Sequence, residues 1–502
     1  MQTRENLLTY LAAVFLFFLG IGLRLLYLNN PPLDFIQARQ LRSAIIARGM
    51  YCALAPCADE TRRQTAIAMW QGEDVYEPQI NERLAATLYY LLGGEKPWVF
   101  RFLAASYWAI GALAIFMMTS RWLSLKPALV ALAFYAVPVF QVVNGRSYQP
   151  EPFMVMWIIL AVFFLERWVT TQSWRHALLA GVLGGVAILV KIMAVFPVAA
   201  VFGLLASGKL GWKRLFSSKQ VWCIGILLMV IPASYYGVMI GSRSSGFFSF
   251  WTLAMLHKII EPAFYVRWFS WLHDLVGLLP IALAVYGSLY LPPQARRVVG
   301  GWFAGYVVYT AFLPAQVSTH TYYNLILIPG VAMGLAGMAA PFFQKIVSQP
   351  PLYRLAFWGI ATLAVLFPAW ITRSVIVSQN EGIAQEVKGW QRLCDELPRD
   401  GKMIGLTHDY GNRIRYLGWR YIASWPYSWD FDLNAEVFGA QESFEEQFKE
   451  KTEGFRYFVV TDFTDLEAQP ALKNYLYQNF PIAQSDDGYV VFDLAQRLEA
   501  AP

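Results

Sequence analysis

The sequence predicts an α-helical polytopic membrane protein, with about eleven transmembrane helices followed by a small soluble α/β domain. Three observations carry this expectation. Of the 502 residues, 57% are hydrophobic and 15% are charged, whereas an ordinary soluble domain carries about 25% charged residues. Apolar runs recur from Leu7 to Ile371, many of them near the roughly 20 residues that cross a bilayer core of about 30 Å. After about Val377 the long runs give way to short strand-like and helix-like segments. The mean hydropathy of +0.40 agrees. The net charge of +6 reports loop topology in such a chain. No nucleic-acid motif accompanies it, so no nucleic-acid partner is expected.

The eleven candidate spans are Leu7–Leu28, Phe102–Ser120, Pro127–Val143, Pro152–Thr170, Ala177–Val190, Ile192–Ala206, Val221–Gly241, Leu275–Leu291, Val298–Leu313, Tyr322–Phe343 and Leu355–Ile371. The first is too long for a signal-peptide core and lacks a small-residue cleavage site, so it reads as a retained helix. The fifth and sixth are short. Arg167 and Arg175 flank them on one side, and Lys209, Lys213, Arg214 and Lys219 on the other. Short basic loops stay in the cytoplasm, so the segment between crosses an even number of times. Two short helices with Lys191 at the outer turn fit, as does a re-entrant pair.

Arg121 with Lys126, Arg296 with Arg297, and Lys345 with Arg354 mark the same cytoplasmic side. The N-terminus is then inside. The loop from Asn29 to Arg101, the loop from Ser242 to Asp274 and everything after about Val377 lie outside. The expected division is a membrane domain, 1–376, whose first periplasmic loop is 29–101, and a soluble periplasmic domain, 377–502. The expected location is a bacterial inner membrane, with membrane lipids around the spans.

Within the first outer loop, Gln37–Tyr51 mixes Leu41, Ala44, Ile45 and Ala47 with Arg39, Arg42 and Arg48. This pattern suggests an amphipathic helix on the membrane surface, and Asn81–Leu92 suggests a second. Cys52 and Cys57 lie between them. Outside the cytoplasm two cysteines this close can close a small disulfide loop; the alternative is two free thiols. Cys223 and Cys394 read as structural. In the tail, Lys402–Thr407, Tyr421–Trp425, Tyr457–Thr461 and Tyr489–Leu494 read as strands, and Gln441–Lys451 and Pro470–Asn479 as helices. Such alternation predicts an α/β layer. No nucleotide-binding glycine loop appears in it.

The candidate functional residues converge on the outer side. Asp34 follows Pro31-Pro32-Leu33 at the outer end of the first span. Glu77 precedes Pro78. Arg146 and Glu151 flank the turn before the fourth span, Lys191 marks the next outer turn, and His320, Tyr322 and Tyr323 open the tenth. Ionisable groups at membrane depth are costly and are often functional. A carboxylate at the membrane surface can deprotonate an acceptor hydroxyl, and cationic and phenolic groups can hold a phosphate. Asp34, Glu77 and Glu151 are therefore the catalytic candidates. Arg146, Lys191, His320, Tyr322, Tyr323 and Arg42 are the phosphate-binding candidates. Glu77 and Glu151 could also hold a hard divalent ion such as magnesium or manganese. Helix capping, interfacial snorkelling and an aromatic belt are the plainer roles for the same residues.

Four motifs, in order, carry a resemblance. They are LDFIQARQLRSAIIARGMY, YEPQINERLAATLYYLLGG with WVFRFLAASYW, GRSYQPEPFMVMWIILAVFF, and HTYYNLILIPGVAMGLAG. Over about the first 375 residues the chain resembles the GT-C membrane glycosyltransferases that use polyprenyl-phosphate sugars. Among these are the protein O-mannosyltransferases and the lipid A aminoarabinose transferases. The resemblance lies in an acidic residue before an arginine-rich helix, a proline-containing loop and a W-x-x-R, an R-x-x-x-P-[DE] leading into a helix, and an H-x-Y-Y leading into a late helix. It implies an inverting transfer from a polyprenyl-phosphate sugar to a lipid, glycan or protein acceptor, with Asp34 as general base. The chain departs from the family in four places. Phe35 follows Asp34 where an acid is common, the arginine-rich helix is displaced by about five residues from that acid relative to some members, Glu77-Pro78-Gln79 stands for Lys-Pro-Pro, and Glu151 stands for the commoner aspartate. A lysine that could bind donor phosphate is thus missing near position 77. A transporter or flippase would call for internal repeats, and none is evident. A polyprenyl-lipid-binding scaffold would tolerate loss of Asp34.

Overall fold

The computed structural model describes residues 2–75, 77–239, 250, 254–438 and 443–498. The chain forms two compact units. One comprises Met1–Leu28, Asp74–Asn81 and Trp98–Gln379; the other comprises Asn29–Glu73, Glu82–Pro97 and Asn380–Pro502. The expected first outer loop is therefore divided, and most of it groups with the tail.

In the helical unit the described residues of the apolar runs fall mostly on helix; the runs Pro127–Val143 and Leu275–Leu291 are each broken, and Ile240 and Gly241 lie outside the described residues. The helices include Gln2–Leu25, Trp98–Trp122, Leu125–Ala136, Val139–Gly145, Pro150–Thr171, Trp174–Val190, Val195–Leu210, Lys219–Met239, Pro262–Val276, Leu278–Gly287, Pro293–Phe312, Leu327–Ile346 and Pro351–Asn380. Among the described residues seven helices are long and apolar enough to cross a membrane, or nine if each bent pair is one span. Residues 242–249 and 251–253 of the expected outer loop Ser242–Asp274 lie outside the described residues.

Helices in a bilayer gain little from burying apolar surface, so close packing at small residues holds them together. Val195–Leu210 packs along Pro293–Phe312 at Gly301 and Gly305. A Cβ on Gly305 would stand 2.5 Å from Pro197 Cα, and one on Gly301 2.8 Å from Val201 Cα. Larger residues at these two positions would force the helices apart.

The third expected span is broken. Leu125–Ala136 and Val139–Gly145 meet at 63°, with Pro138 between them. Proline has no N–H and cannot continue the helical ladder. The carbonyls freed at the break find side chains instead. Trp108 Nε1 donates to Tyr135 O at 2.8 Å, Arg24 to Ala136 O at 2.7 Å and to Gln141 O at 2.9 Å, and Thr372 Oγ1 to Val137 O at 2.9 Å. Three other helices thus complete the backbone of one, as irregular backbone at membrane depth requires. Arg24→Met strands the Ala136 and Gln141 carbonyls. The expected loss is about 1–3 kcal/mol for each, read as a lower thermal midpoint of the detergent-solubilised protein; an unchanged midpoint would show that the arginine does not hold the break.

In the second unit a five-stranded sheet has the order β2-β1-β3-β5-β4. The strands are β1 (Met403–Leu406), β2 (Ala423–Ser424), β3 (Tyr457–Val460), β4 (Ile482–Asp486) and β5 (Tyr489–Asp493). β1 pairs in parallel with β2 and β3, while β3, β5 and β4 run antiparallel. Side chains alternate between two faces. Ile404, Leu406, Phe458, Val460, Val490 and Phe492 join Trp425, Phe448, Leu472 and Leu476 in one core layer. Met403, Tyr457, Val459, Tyr489 and Val491 join Cys394, Leu397 and Ile414 in the other. The four expected strands are present, β2 much shortened. β4 escaped the sequence reading because it is a polar, largely exposed edge. The Asp487-Gly488 pair between two runs was the available hairpin signal. The helix expected over 441–451 is Phe444–Thr452, held by a capping box of Ser443 and Glu446; Gln441 and Glu442 lie outside the described residues.

The arginine-rich segment forms helix Gln37–Leu54, but it does not present a single apolar face. Twelve of its 18 residues are buried, Arg48 among them. It packs on helices Glu60–Gln71 and Asn412–Gly418. The charge is accommodated by partners that sequence spacing cannot show. Arg48 forks onto Glu95 at 2.7 and 3.1 Å and donates to Tyr416 O at 2.6 Å. Its guanidinium lies 4.1 Å from the Tyr416 ring and 4.1 Å from the Trp419 ring. Breaking a buried pair by removing one partner costs about 3–5 kcal/mol. Arg48→Ala should therefore release the tail to limited proteolysis. Arg48→Lys should rescue little, because an ammonium lacks the planar fork and the stacking surface; full rescue by lysine would show that charge alone matters.

Candidate active site

Four separate segments of the helical unit meet around Lys191. The residue ends helix Trp174–Val190 with extended backbone, φ −157° and ψ 122°, before the turn Ile192–Ala194 and helix Val195–Leu210. The break between two apolar helices aims its side chain inward, where 2% of it remains exposed. Glu151 is fully buried in the first turn of Pro150–Thr171, behind Pro150. A carboxylate is favoured there by the helix dipole. Lys191 Nζ pairs with Glu151 Oε1 and lies 3.0 Å from Glu77 Oε1. Tyr323 closes a third side, its ring centroid 5.0 Å from the ammonium.

Glu77 is held in place by a polar anchor. In the same Asp74–Asn81 segment, Asn81 accepts the Tyr107 hydroxyl at its side chain and the Tyr148 hydroxyl at its backbone, both at 2.9 Å. The sequence reading missed these three residues. Tyr148 stood inside the stretch GRSYQPEP, so a partial signal was present; Tyr107 and Asn81 carry no pattern that separates them from packing residues. Tyr323, Tyr322 and His320 come from the turn Thr321–Ile326 and its cap. Their rings cluster with centroids 4.5 to 5.9 Å apart. Asn324, also missed, fixes that turn by donating to Val317 O at 2.9 Å and accepting the Tyr306 hydroxyl.

Arg146 caps Val139–Gly145, is buried, and donates to Leu26 O at the end of the first helix. It shares the broken span's end with the chain that leads to Glu151. The remaining candidates belong to the second unit. Asp34 is 7% exposed. Two residues on, Ile36 has φ 45° and ψ 59°, a left-handed conformation that is a genuine outlier for a β-branched residue. Arg42 Nε pairs with Glu73 Oε2 at 2.8 Å, and Glu73 Oε1 takes Arg415 at 2.8 Å. Cys52 and Cys57 form a disulfide.

The pair Glu77 and Glu151 does not fit a divalent ion. An ammonium already sits between the two carboxylates, and among the described residues no group of three or more His, Cys, Asp or Glu could hold a metal. Lys191, from elsewhere in the chain, instead places an ammonium 3.0 Å from Glu77.

Comparison with known proteins bears on the fold. Residues 83–236 match the family model described as dolichyl-phosphate-mannose-protein mannosyltransferase. No curated protein matches the sequence. Among solved structures, ArnT from Cupriavidus metallidurans bound to undecaprenyl phosphate is similar over 100% of both chains, with 15% identity and a TM-score of 0.59. The archaeal oligosaccharyltransferase AglB from Archaeoglobus fulgidus, in complex with an inhibitory peptide and a dolichol-phosphate, is similar over 97% of this chain and 74% of its own. There the identity is 13% and the TM-score 0.55. At such identities the likeness to these two structures is one of fold. The chain is thus a multi-span membrane protein with the GT-C fold, and its resemblance is to the glycosyltransferases that use polyprenyl-phosphate sugars.

Proposed function

We propose that the protein is an inverting glycosyltransferase that moves one sugar from a polyprenyl-phosphate carrier to a lipid, glycan or protein acceptor at the outer face of the membrane. The observation that carries the reading is the meeting of Lys191, Glu77, Glu151 and Tyr323. Four segments chosen one by one from the sequence supply these residues, and a chain with only packing to do has no use for a buried ammonium there. Burying charge in this way costs stability unless it is compensated.

In this reading Asp34 takes the proton of the acceptor hydroxyl. The hydroxyl oxygen bonds to the anomeric carbon as the bond from that carbon to the phosphate oxygen breaks. The electron pair leaves with the polyprenyl phosphate. Lys191, Arg146, His320, Tyr322 and Tyr323 stabilise that leaving phosphate, and Glu77 and Glu151 fix the position of Lys191. Arg42 is left to hold Glu73 in the second unit. The family match and the fold of ArnT and AglB support the class of reaction; sugar and acceptor follow from neither.

One observation favours a transporter: broken helices of this kind form binding sites in secondary transporters. A single experiment separates the two. Purified protein is incubated with a panel of synthetic polyprenyl-phosphate sugars and a membrane extract as acceptor source, and free polyprenyl phosphate is followed. Transfer predicts release that depends on acceptor. If no donor yields release, while the protein reconstituted in liposomes moves one of these lipids between leaflets, the transferase reading fails.

A further inference from the structure

The second unit holds a cavity that uses none of the residues named for transfer. It measures about 240 Å³, and its lining includes Glu386, Trp390, Glu396, His408, Thr461 and Tyr489. Its place in the sheet is informative. β1 leads through helix Asn412–Gly418 to β2 on one side, while β3 lies on the other side of β1. The strand order reverses between β1 and β3, and α/β sheets bind ligands beyond the carboxyl ends of their strands at such a point. His408 follows β1 and Thr461 follows β3. Thr461 Oγ1 accepts the His408 backbone N–H at 3.1 Å and lies 3.2 Å from the ring Nδ1, which sets the orientation of the imidazole.

The backbone next to His408 is strained. Asp409, Tyr410 and Gly411 have φ of 55°, 58° and 80°, three left-handed residues in succession. The two that are not glycine carry a steric penalty there, their Cβ crowding the backbone. Such strain persists where the surroundings enforce it, and it clusters at ligand sites.

The charges around the cavity are largely compensated. Glu386 pairs with Arg413. Glu396 has Arg392 at 3.9 Å and accepts the Tyr489 hydroxyl at 3.0 Å. Asp486 remains at the exposed rim. A bare anion or cation gains little from such a wall. A neutral ligand with several hydroxyls gains acceptors from the carboxylates, the imidazole and Thr461, and an apolar platform from the indole of Trp390. We propose that this cavity binds a neutral saccharide ring, with Trp390 against its apolar face and Glu386, His408 and Tyr489 on its hydroxyls. The proposal stands independently of the transfer reaction.

The test is saturation-transfer NMR on the purified full-length protein in detergent. The probes are methyl glycosides of glucose, galactose and mannose, with choline and glycerol phosphate as charged probes. At least one methyl glycoside should receive saturation and the charged probes should not. Trp390→Ala should reduce that signal at least tenfold, Trp390→Phe should keep most of it, and Glu386→Gln should weaken it. Asp34→Asn, which removes the proposed general base, should leave it intact, so loss of transfer and loss of saccharide binding are read apart. The proposal is overturned if no methyl glycoside is saturated, if the charged probes are saturated in their place, or if Trp390→Ala and Glu386→Gln both match the wild type.

Discussion

Replacing Asp34 by asparagine is expected to lower sugar transfer at least about a hundredfold, the low end of what a positioned general base contributes. Asparagine keeps the size of the side chain and removes the proton acceptor. Asp34 is buried and stands beside a left-handed isoleucine, so its position is set by its neighbours and not by solvent. Donor binding and the thermal midpoint should stay near the wild-type values, because Asp34 is asked to act only on the acceptor. The measurement is release of free polyprenyl phosphate by both forms at equal donor occupancy. Near-normal release by Asp34→Asn would move the base elsewhere, with Glu77→Gln and Glu151→Gln the next variants. Activity in all three would end the general-base mechanism on these residues.

Lys191→Met should fail more broadly, losing both fold stability and donor binding. It takes the ammonium away from Glu151, which is fully buried, and from Glu77, which is 26% exposed. Removing one partner of a buried ion pair costs about 3–5 kcal/mol, mostly the penalty on the charge left behind. That origin gives a further expectation. The double variant Lys191→Met, Glu151→Gln should be more stable than Lys191→Met alone, since the stranded charge is gone. It should remain without transfer, since the cation is gone too. Thermal midpoints of the four members of this cycle give the coupling directly. If the double variant is no more stable than the single one, Lys191 and Glu151 do not compensate each other as described.

Much of the helical unit was legible because a bilayer leaves a chain few choices. Runs of apolar residues had to be helix, and among the described residues they mostly are, with Pro127–Val143 and Leu275–Leu291 each broken. The same physics made the site partly legible. Glu77, Glu151, Lys191 and Tyr323 stood out as polar residues at one side of apolar runs, and they meet. The parts that stayed hidden depend on partners far away in sequence. Arg24 carries no pattern that sets it apart in the sequence, yet it serves carbonyls more than a hundred residues on. Arg48 looked like part of a surface stripe until Glu95, Tyr416 and Trp419 were placed around it. β4 was missed because an exposed edge strand carries no apolar alternation.

The make-up of the second unit bears on how the protein is born. Its helix Gln37–Leu54 is synthesised early, but Tyr416, which takes its buried arginine, lies 368 residues further along the chain. Glu95 and helix Glu60–Gln71 follow soon after it, but until Tyr416 and Trp419 leave the ribosome its arginine and one side of the helix lack part of their cover. Long-range closure of this kind is slow, and incomplete surfaces are prone to aggregate while they wait. Nascent chains halted before residue 380 should therefore be held by chaperones or degraded even though most of their spans are complete. A segment made late would then decide whether one made early survives.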